Sequence, residues 1–366
     1  MASETTHVPS GTIGGNCSIL CGVFLSNWSP MMLDVAIIGA GPTGLACAIE
    51  ALRSNLQILV FDKGSICDSI RRFPVGMTFF STPEQLELGG IPFTTSNIRP
   101  TRIESLQYYR LVAQRLGIPL QLYTRVRHIT RNSDSFLLDT DRGVWTTRFV
   151  IVATGYFDHT NRLGVEGEDL PHVRHYYTEA FEYSGTRVLV VGGKNSAVEA
   201  ALDLWRHGAT VALVHRRPTL GESVKYWLRP DIENRIRNGE ISAYFSTVVR
   251  RITPDGVELE RLDTGERWYD EYDFILLQIG YRPDAEFLRR CGVEVDPHTL
   301  IPRYNPETFE TNVPGLYVAG SVMCGCETWN IFIENGRSHA RPILADIRWR
   351  CGASEHSASS RPTSPA

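Results

Sequence analysis

The sequence predicts an α/β protein of two three-layer units, each a parallel sheet between helices, with the second unit inserted in the first. Three observations carry this expectation. An apolar strand, a glycine turn and an apolar helix follow one another over residues 33–52, and the same succession returns over 187–205. Two strands that end in small residues, 148–156 and 274–283, stand in matching places behind the two units. A last strand running into Gly320, followed by a helix, closes the first sheet after the insertion.

The first turn reads Gly39-Ala40-Gly41-Pro42-Thr43-Gly44. Gly39 allows the tight turn, Gly41 lets the backbone approach a pyrophosphate, and Gly44 lets the helix pack on the strand. A pyrophosphate then sits on free N–H groups at the positive end of the helix. The next apolar strand, 57–61, ends in Asp62, and an acid there suits ribose hydroxyls. Together these define a Rossmann-like dinucleotide-binding unit.

Composition narrows the rest. At 366 residues, two domains can each bury a core. The formal charge is -4 and basic residues cluster no further than Arg pairs, which argues against a nucleic-acid partner. No apolar run has membrane-spanning length. The eight cysteines form no Cys-x-x-Cys pair and no zinc spacing, so neither a disulfide scaffold nor a metal site is expected. A reducing, cytoplasmic setting follows, with a homo-oligomer left open.

Taken in order, residues 1–30 contain no Lys or Arg and read as a flexible extension. Residues 69–81 are aromatic without a period; they either fill the core or wall a flat ring. Residues 102–116 read as a helix with Ile103, Leu106, Tyr109, Leu111 and Val112 apolar. A strand over 121–126 and two hairpin strands near 135–138 and 144–147 follow, then the strand ending Ala153-Thr154-Gly155-Tyr156. The second turn is Gly192-Gly193-Lys194-Asn195-Ser196-Ala197, with Lys194 at the second glycine position. That lysine either caps a phosphate or points to solvent. The strand after it ends in His215-Arg216-Arg217, and cations there suit a ribose 2′-phosphate, so the second nucleotide is expected to be NADPH. Residues 222–240 form an excursion, a final helix covers 331–349, and the Ser/Pro-rich end from Cys351 reads as disordered.

Met77-Thr78-Phe79-Phe80-Ser81, Ala153-Thr154-Gly155-Tyr156, Gly192-Gly193-Lys194-Asn195-Ser196 and Phe332-Ile333-Glu334-Asn335-Gly336-Arg337 resemble the bacillithiol disulfide reductase family, within the low-molecular-weight thioredoxin reductase group. The resemblance covers 31–350 and makes Lys194 a family trait. It implies a FAD domain over 31–156 and 282–350, an NADPH domain over 157–281, and a tail over 351–366. FAD would lie against Gly39, Gly41, Pro42, Thr43, Gly44, Asp62, Lys63, Phe80, Val126, Ala153, Thr154, Gly155, Gly320 and Ser321. NADPH would lie against Gly192, Lys194, Asn195, Ser196, His215, Arg216 and Arg217. The implied reaction takes a hydride from NADPH and reduces a low-molecular-weight thiol disulfide.

Three departures bear on that reaction. Where thioredoxin reductases carry Cys-x-x-Cys, this chain has His175-Tyr176-Tyr177-Thr178. Where many such flavoproteins have Gly-Asp, it has Gly320-Ser321. Where the bacillithiol disulfide reductases have a cysteine in the first turn, it has Thr43. Cys324 and Cys326 are the alternative thiols, near the start of the last helix; they are either a reactive pair or small residues packed beside the cofactor. The competing readings are a ferredoxin–NADP reductase of the same fold, which needs no thiol and would pair with a small electron-transfer protein; a flavin monooxygenase, whose Phe-x-Gly-x-x-x-His fingerprint is missing; and a non-catalytic redox sensor.

Overall fold

The computed structural model describes residues 32–359. The extension expected over 1–30, with Cys17 and Cys21, lies outside the described residues. β1 (Leu33–Ile38) buries all its residues but Asp34, as a strand covered on both faces must. α1 (Pro42–Arg53) crosses from β1 to β2 (Ile58–Phe61), which runs parallel to β1 with Val35 opposite Ile58. Two short helices, α2 (Asp68–Arg71) and α3 (Pro83–Leu86), interrupt the following loop.

α4 (Arg102–Arg115) starts where Thr101 accepts the Glu104 N–H and the Glu104 carboxylate accepts the Thr101 N–H at 2.8 Å. Its buried face differs from the one periodicity suggests. Ile103 and Leu111 are exposed, while Ser105, Tyr108, Tyr109 and Val112 face inward. Tyr108 decides this, stacking on Phe93 at 4.2 Å and donating its hydroxyl to the Ile91 carbonyl.

β3 (Leu120–Gln121) extends the sheet beyond β2, and β4 (Val126–Arg131), β5 (Phe136–Thr140) and β6 (Gly143–Val152) form an antiparallel meander. The second hairpin strand and the strand leading to Ala153 are one continuous element: β6 leaves β5 and then lies parallel to β1, Val35 opposite Phe149.

The chain crosses to the second lobe through β7 (His159–Thr160) and β8 (Val173–Arg174). β9 (Arg187–Val191), α5 (Asn195–Arg206) and β10 (Thr210–Val214) repeat the opening unit. The excursion contains α6 (Arg229–Arg237) and ends in β11 (Ser242–Tyr244). β12 (Thr247–Thr253), β13 (Gly256–Arg261) and β14 (Arg267–Glu271) form an antiparallel sheet. β15 (Phe274–Leu277) completes the parallel order β11-β10-β9-β15-β8. β16 (Tyr281–Arg282) pairs antiparallel with β7, so the outgoing and returning connections are tied together.

Back in the first lobe come α7 (Ala285–Arg290) and β17 (Leu316–Val318), which lies parallel to β6 with Leu316 opposite Val150. The single helix expected over 331–349 is broken into α8 (Ile333–Gly336), a 3-10 turn, and α9 (Ala340–Ser359). α9 continues past Cys351, so the expected tail begins as helix; residues 360–366 lie outside the described residues.

Candidate functional site

Both glycine turns open onto one cleft of about 1580 Å³ between the lobes. That exceeds the roughly 300–1,000 Å³ of an ordinary small-molecule pocket. In the first turn, Gly39 has φ +114° and a Cβ there would lie 2.4 Å from the Ala153 carbonyl oxygen. A Cβ on Gly44 would lie 1.9 Å from the Gly39 oxygen. Both glycines are therefore demanded by strand–turn–helix packing. Gly41 is not: a Cβ there meets nothing within 4 Å. The space in front of it, at the helix start where first-turn N–H groups lack helical partners, is the cradle a pyrophosphate fits.

Asp62 closes this turn from below, accepting the Ala40 and Gly64 N–H groups, each at 2.8 Å. Burial pushes its carboxyl up, and those two donors act in the opposite direction. Lys63 lines the cleft, but its ammonium is paired with Asp158 at 2.7 Å. Thr43 sits in a notch made by two glycines: a Cβ on Gly320 would be 2.7 Å from its Oγ1, and one on Gly336 3.0 Å. The Gly320 N–H donates to His339 Nδ1 at 3.1 Å, which fixes that ring as an acceptor there and anchors the Gly320-Ser321 segment beside the turn. Burial holds His339 below the usual histidine range. Gly336 was legible only as part of the Phe332–Arg337 motif and His339 not at all; their roles exist only once α8 and α9 fold against α1.

Ala153, Thr154, Gly155, Val126 and Ser321 all line the same cleft. Thr154 Oγ1 is buried with no hydrogen-bond partner, an orphan that a ligand would satisfy. The two readings of the 69–81 segment divide by residue. Phe79 is buried in the first lobe's core at the cleft floor, whereas Phe80 lines the cleft without joining that core.

In the second turn a Cβ on Gly192 would lie 2.4 Å from the Gln278 carbonyl oxygen, and one on Gly193 2.4 Å from the His215 ring. Lys194 is exposed on the cleft rim. Asn195 turns to the protein: its Nδ2 donates to the Ser223 carbonyl at 3.0 Å and its Oδ1 accepts the Lys225 N–H at 2.9 Å. Ser196 stays exposed on the cleft. His215, the first of the three residues expected at the strand end, is half-buried, whereas the two arginines after it are exposed. Burial, then Arg216 and Arg217, lower its pKa, and its Nε2 is buried without a partner. Arg216 and Arg217 are exposed and carry the charge. The open cradle at Gly41 and the orphaned Thr154 Oγ1 and His215 Nε2 fit two dinucleotides.

The cysteine pair does not assemble. Cys324 is buried and its thiol is pushed up to about 11; it lies 3.9 Å from the Ile331 carbonyl oxygen. Cys326 is exposed on the cleft and turns to the His298 carbonyl oxygen at 3.8 Å. α8, which follows, has only four residues. At Cys324 burial outweighs the backbone hydrogen bond with Ile331, which acts in the opposite direction. Cys47 and Cys67 are buried packing, both pushed up by burial. The segment that replaces Cys-x-x-Cys is structural: Tyr176 joins Phe157 and Tyr281 in an aromatic cluster at the lobe junction, and the Tyr177 hydroxyl donates to Asp203. Arg72 covers this cluster, 5.2 Å from the Phe157 centroid, and is held by Asp68 and Asp158.

The sequence matches the pyridine nucleotide-disulphide oxidoreductase family over residues 36–320. Bacilliredoxin reductase Bdr of Bacillus subtilis (strain 168) is 42% identical over 315 residues, 86% of this chain and 97% of that protein. The structure of bacillithiol disulfide reductase Bdr from Bacillus cereus superposes with a TM-score of 0.85 at 37% identity, covering 87% of this chain and 100% of that one. The Staphylococcus aureus enzyme gives 0.84 at 36% identity, covering 87% and 99%. The chain belongs to the pyridine nucleotide-disulphide oxidoreductase family, two-domain Rossmann-fold proteins that bind FAD and NADPH. It is a flavin-dependent NADPH oxidoreductase. Among the described residues, no helix is long and apolar enough to cross a membrane, and no cluster of acidic, His and Cys side chains could hold a metal.

Proposed function

We propose that this chain reduces the disulfide of a low-molecular-weight thiol, bacillithiol disulfide, with NADPH. The observation that carries the reading is one cleft shared by both nucleotide turns in a chain 42% identical to a bacilliredoxin reductase. Per turnover, NADPH gives up a hydride and becomes NADP⁺, the S–S bond breaks, and two thiols form with one further proton from solvent. FAD, when bound, supplies the two-electron acceptor between nucleotide and disulfide.

The chain's own residues bind and orient. The Gly39–Gly44 turn and the start of α1 would hold the FAD pyrophosphate, Asp62 its ribose, and Thr154 and the Gly320-Ser321 segment its flavin end. The second turn, with Ser196 and the Arg216 and Arg217 guanidinium groups, would hold NADPH. Phe80 and the aromatic residues of the junction exclude water between them. The reaction belongs in a reducing cytoplasm.

One observation favours a second reading, electron transfer to ferredoxin. The first turn has Thr43 and no thiol, and Cys324 is buried as a neutral thiol. Anaerobic stopped-flow mixing of the NADPH-reduced holoenzyme with bacillithiol disulfide, glutathione disulfide, ferredoxin, a quinone and oxygen decides between them. Fastest reoxidation by bacillithiol disulfide is expected. Fast reoxidation by ferredoxin with none by either disulfide overturns the first reading and establishes the second.

A further inference from the structure

We propose that Arg99 of the first lobe and Lys225 of the second form an anion subsite across the cleft, which takes the carboxylates of the small-molecule disulfide. The proposal rests on the disulfide-reductase reading and names what that site recognises. Its centre is Trp227, carried by the loop between β10 and α6. The Arg99 guanidinium lies 4.1 Å over the Trp227 ring. Phe80 meets the same ring edge-on at 5.7 Å, and the Lys225 ammonium stands 5.3 Å over Phe80 and 5.9 Å over Trp227. Two cations from different lobes thus converge on one aromatic platform, and Phe80, Arg99 and Trp227 all line the cleft.

What marks this pair is the absence of a counter-charge. The half-buried cations elsewhere along the cleft are matched: Lys63 and Arg72 to Asp158, and Arg72 also to Asp68. Even exposed arginines on the same cleft are matched: Arg162 faces Glu168 at 3.2 Å, and Arg250 faces Glu260 at 2.9 Å. The cleft cations without a carboxylate, such as Arg125, Lys194, Arg216 and Arg282, are exposed and solvated. Arg99 and Lys225 are half-buried, and among the described residues neither forms an ion pair. Aromatic faces return only about 0.5–2 kcal/mol per cation. An entering anion therefore gains from two partly desolvated donors at once.

The anion is assigned to the disulfide substrate and not to NADPH. The nucleotide's phosphates already have the start of α5 and Arg216 and Arg217, whereas Lys225 is turned onto the Phe80 ring. Each half of bacillithiol disulfide carries a malate, so the molecule presents a carboxylate pair at either end of its S–S bond.

The test uses FAD-loaded protein and two measurements. Intrinsic fluorescence titrated with bacillithiol disulfide reads binding whether or not turnover occurs, because Trp227 is part of the subsite. Arg99→Gln and Lys225→Gln are each expected to weaken that binding at least tenfold, with Arg99→Lys largely restoring it. Binding to wild type is expected to weaken with salt, and neutral 2-hydroxyethyl disulfide is expected not to distinguish the variants. In steady state the loss is expected in KM for bacillithiol disulfide, with the NADPH KM unchanged. Equal disulfide binding by wild type and variants, no binding by any of them, or a loss confined to NADPH overturns the subsite. Charge-dependent binding to a wild-type enzyme that does not turn the disulfide over supports the subsite and overturns the reductase reading instead.

Discussion

Gly41 and Gly44 belong to one turn and do different work. Alanine at 44 would place its Cβ 1.9 Å from a backbone oxygen, while alanine at 41 meets no protein atom within 4 Å. Gly44→Ala is therefore expected to cost about 1–3 kcal/mol of stability in the apoprotein through overpacking. Gly41→Ala is expected to leave apoprotein Tm nearly unchanged and to lower the FAD content of purified protein. Equal Tm losses in both would contradict the assignment of Gly41 to the ligand. Glu199, on α5 and lining the cleft, gives a pH test. Burial, then the charge of Asp203, raises its pKa from 4.5 to about 7. The folded state keeps a proton that the unfolded chain loses, so this group's stabilising contribution falls as pH rises from about 4.5 to 7. Glu199→Gln is expected to raise Tm relative to wild type at pH 8 and to leave it close to wild type at pH 4. Parallel Tm profiles would refute this. At this scale the sequence discloses residue types but not their partners. The glycines, Asp62 and the two arginines were legible because backbone geometry and charge are local properties. The burial that lowers the His215 pKa and the inward turn of Asn195 were not, because each depends on groups brought close by folding.

Elements were legible in existence and less so in extent and facing. The strands at both glycine turns lie where apolar runs put them, since a strand covered on both faces needs no alternation. α4 shows the limit. Its period marks a helix, but the Phe93–Tyr108 stack selects a face that leaves Ile103 exposed. The connector pair β7 and β16, of two residues each, gives no periodic signal. Side chains also brace it: Asp158 pairs with both Lys63 and Arg72 beside the aromatic cluster. Asp158→Ala leaves those two half-buried cations without their shared carboxylate. It is expected to cost about 1–3 kcal/mol and to slow reduction of the enzyme by NADPH, read by stopped-flow absorbance. An unchanged Tm and reduction rate would mean that the connector is held by its backbone ladder alone.

For the whole molecule, the two-unit plan follows from duplication: the same strand–turn–helix occurs twice, and each copy has its closing strand. The meeting of the lobes was hidden, because Trp227, Arg99 and the Phe157–Tyr176–Tyr281 cluster lie far apart in sequence and carry no motif. Thr43 poses the same problem in reverse. It is plain in the sequence, yet its consequence depends on what the assembled site does without a thiol in the turn. The measurement that addresses this most directly is the number of free thiols released per NADPH consumed, under anaerobic conditions with bacillithiol disulfide as sole acceptor. Two thiols per NADPH are predicted, with the same ratio retained in a Cys324→Ser, Cys326→Ser double variant. NADPH consumption without thiol release, alongside rapid turnover with ferredoxin, would contradict the account.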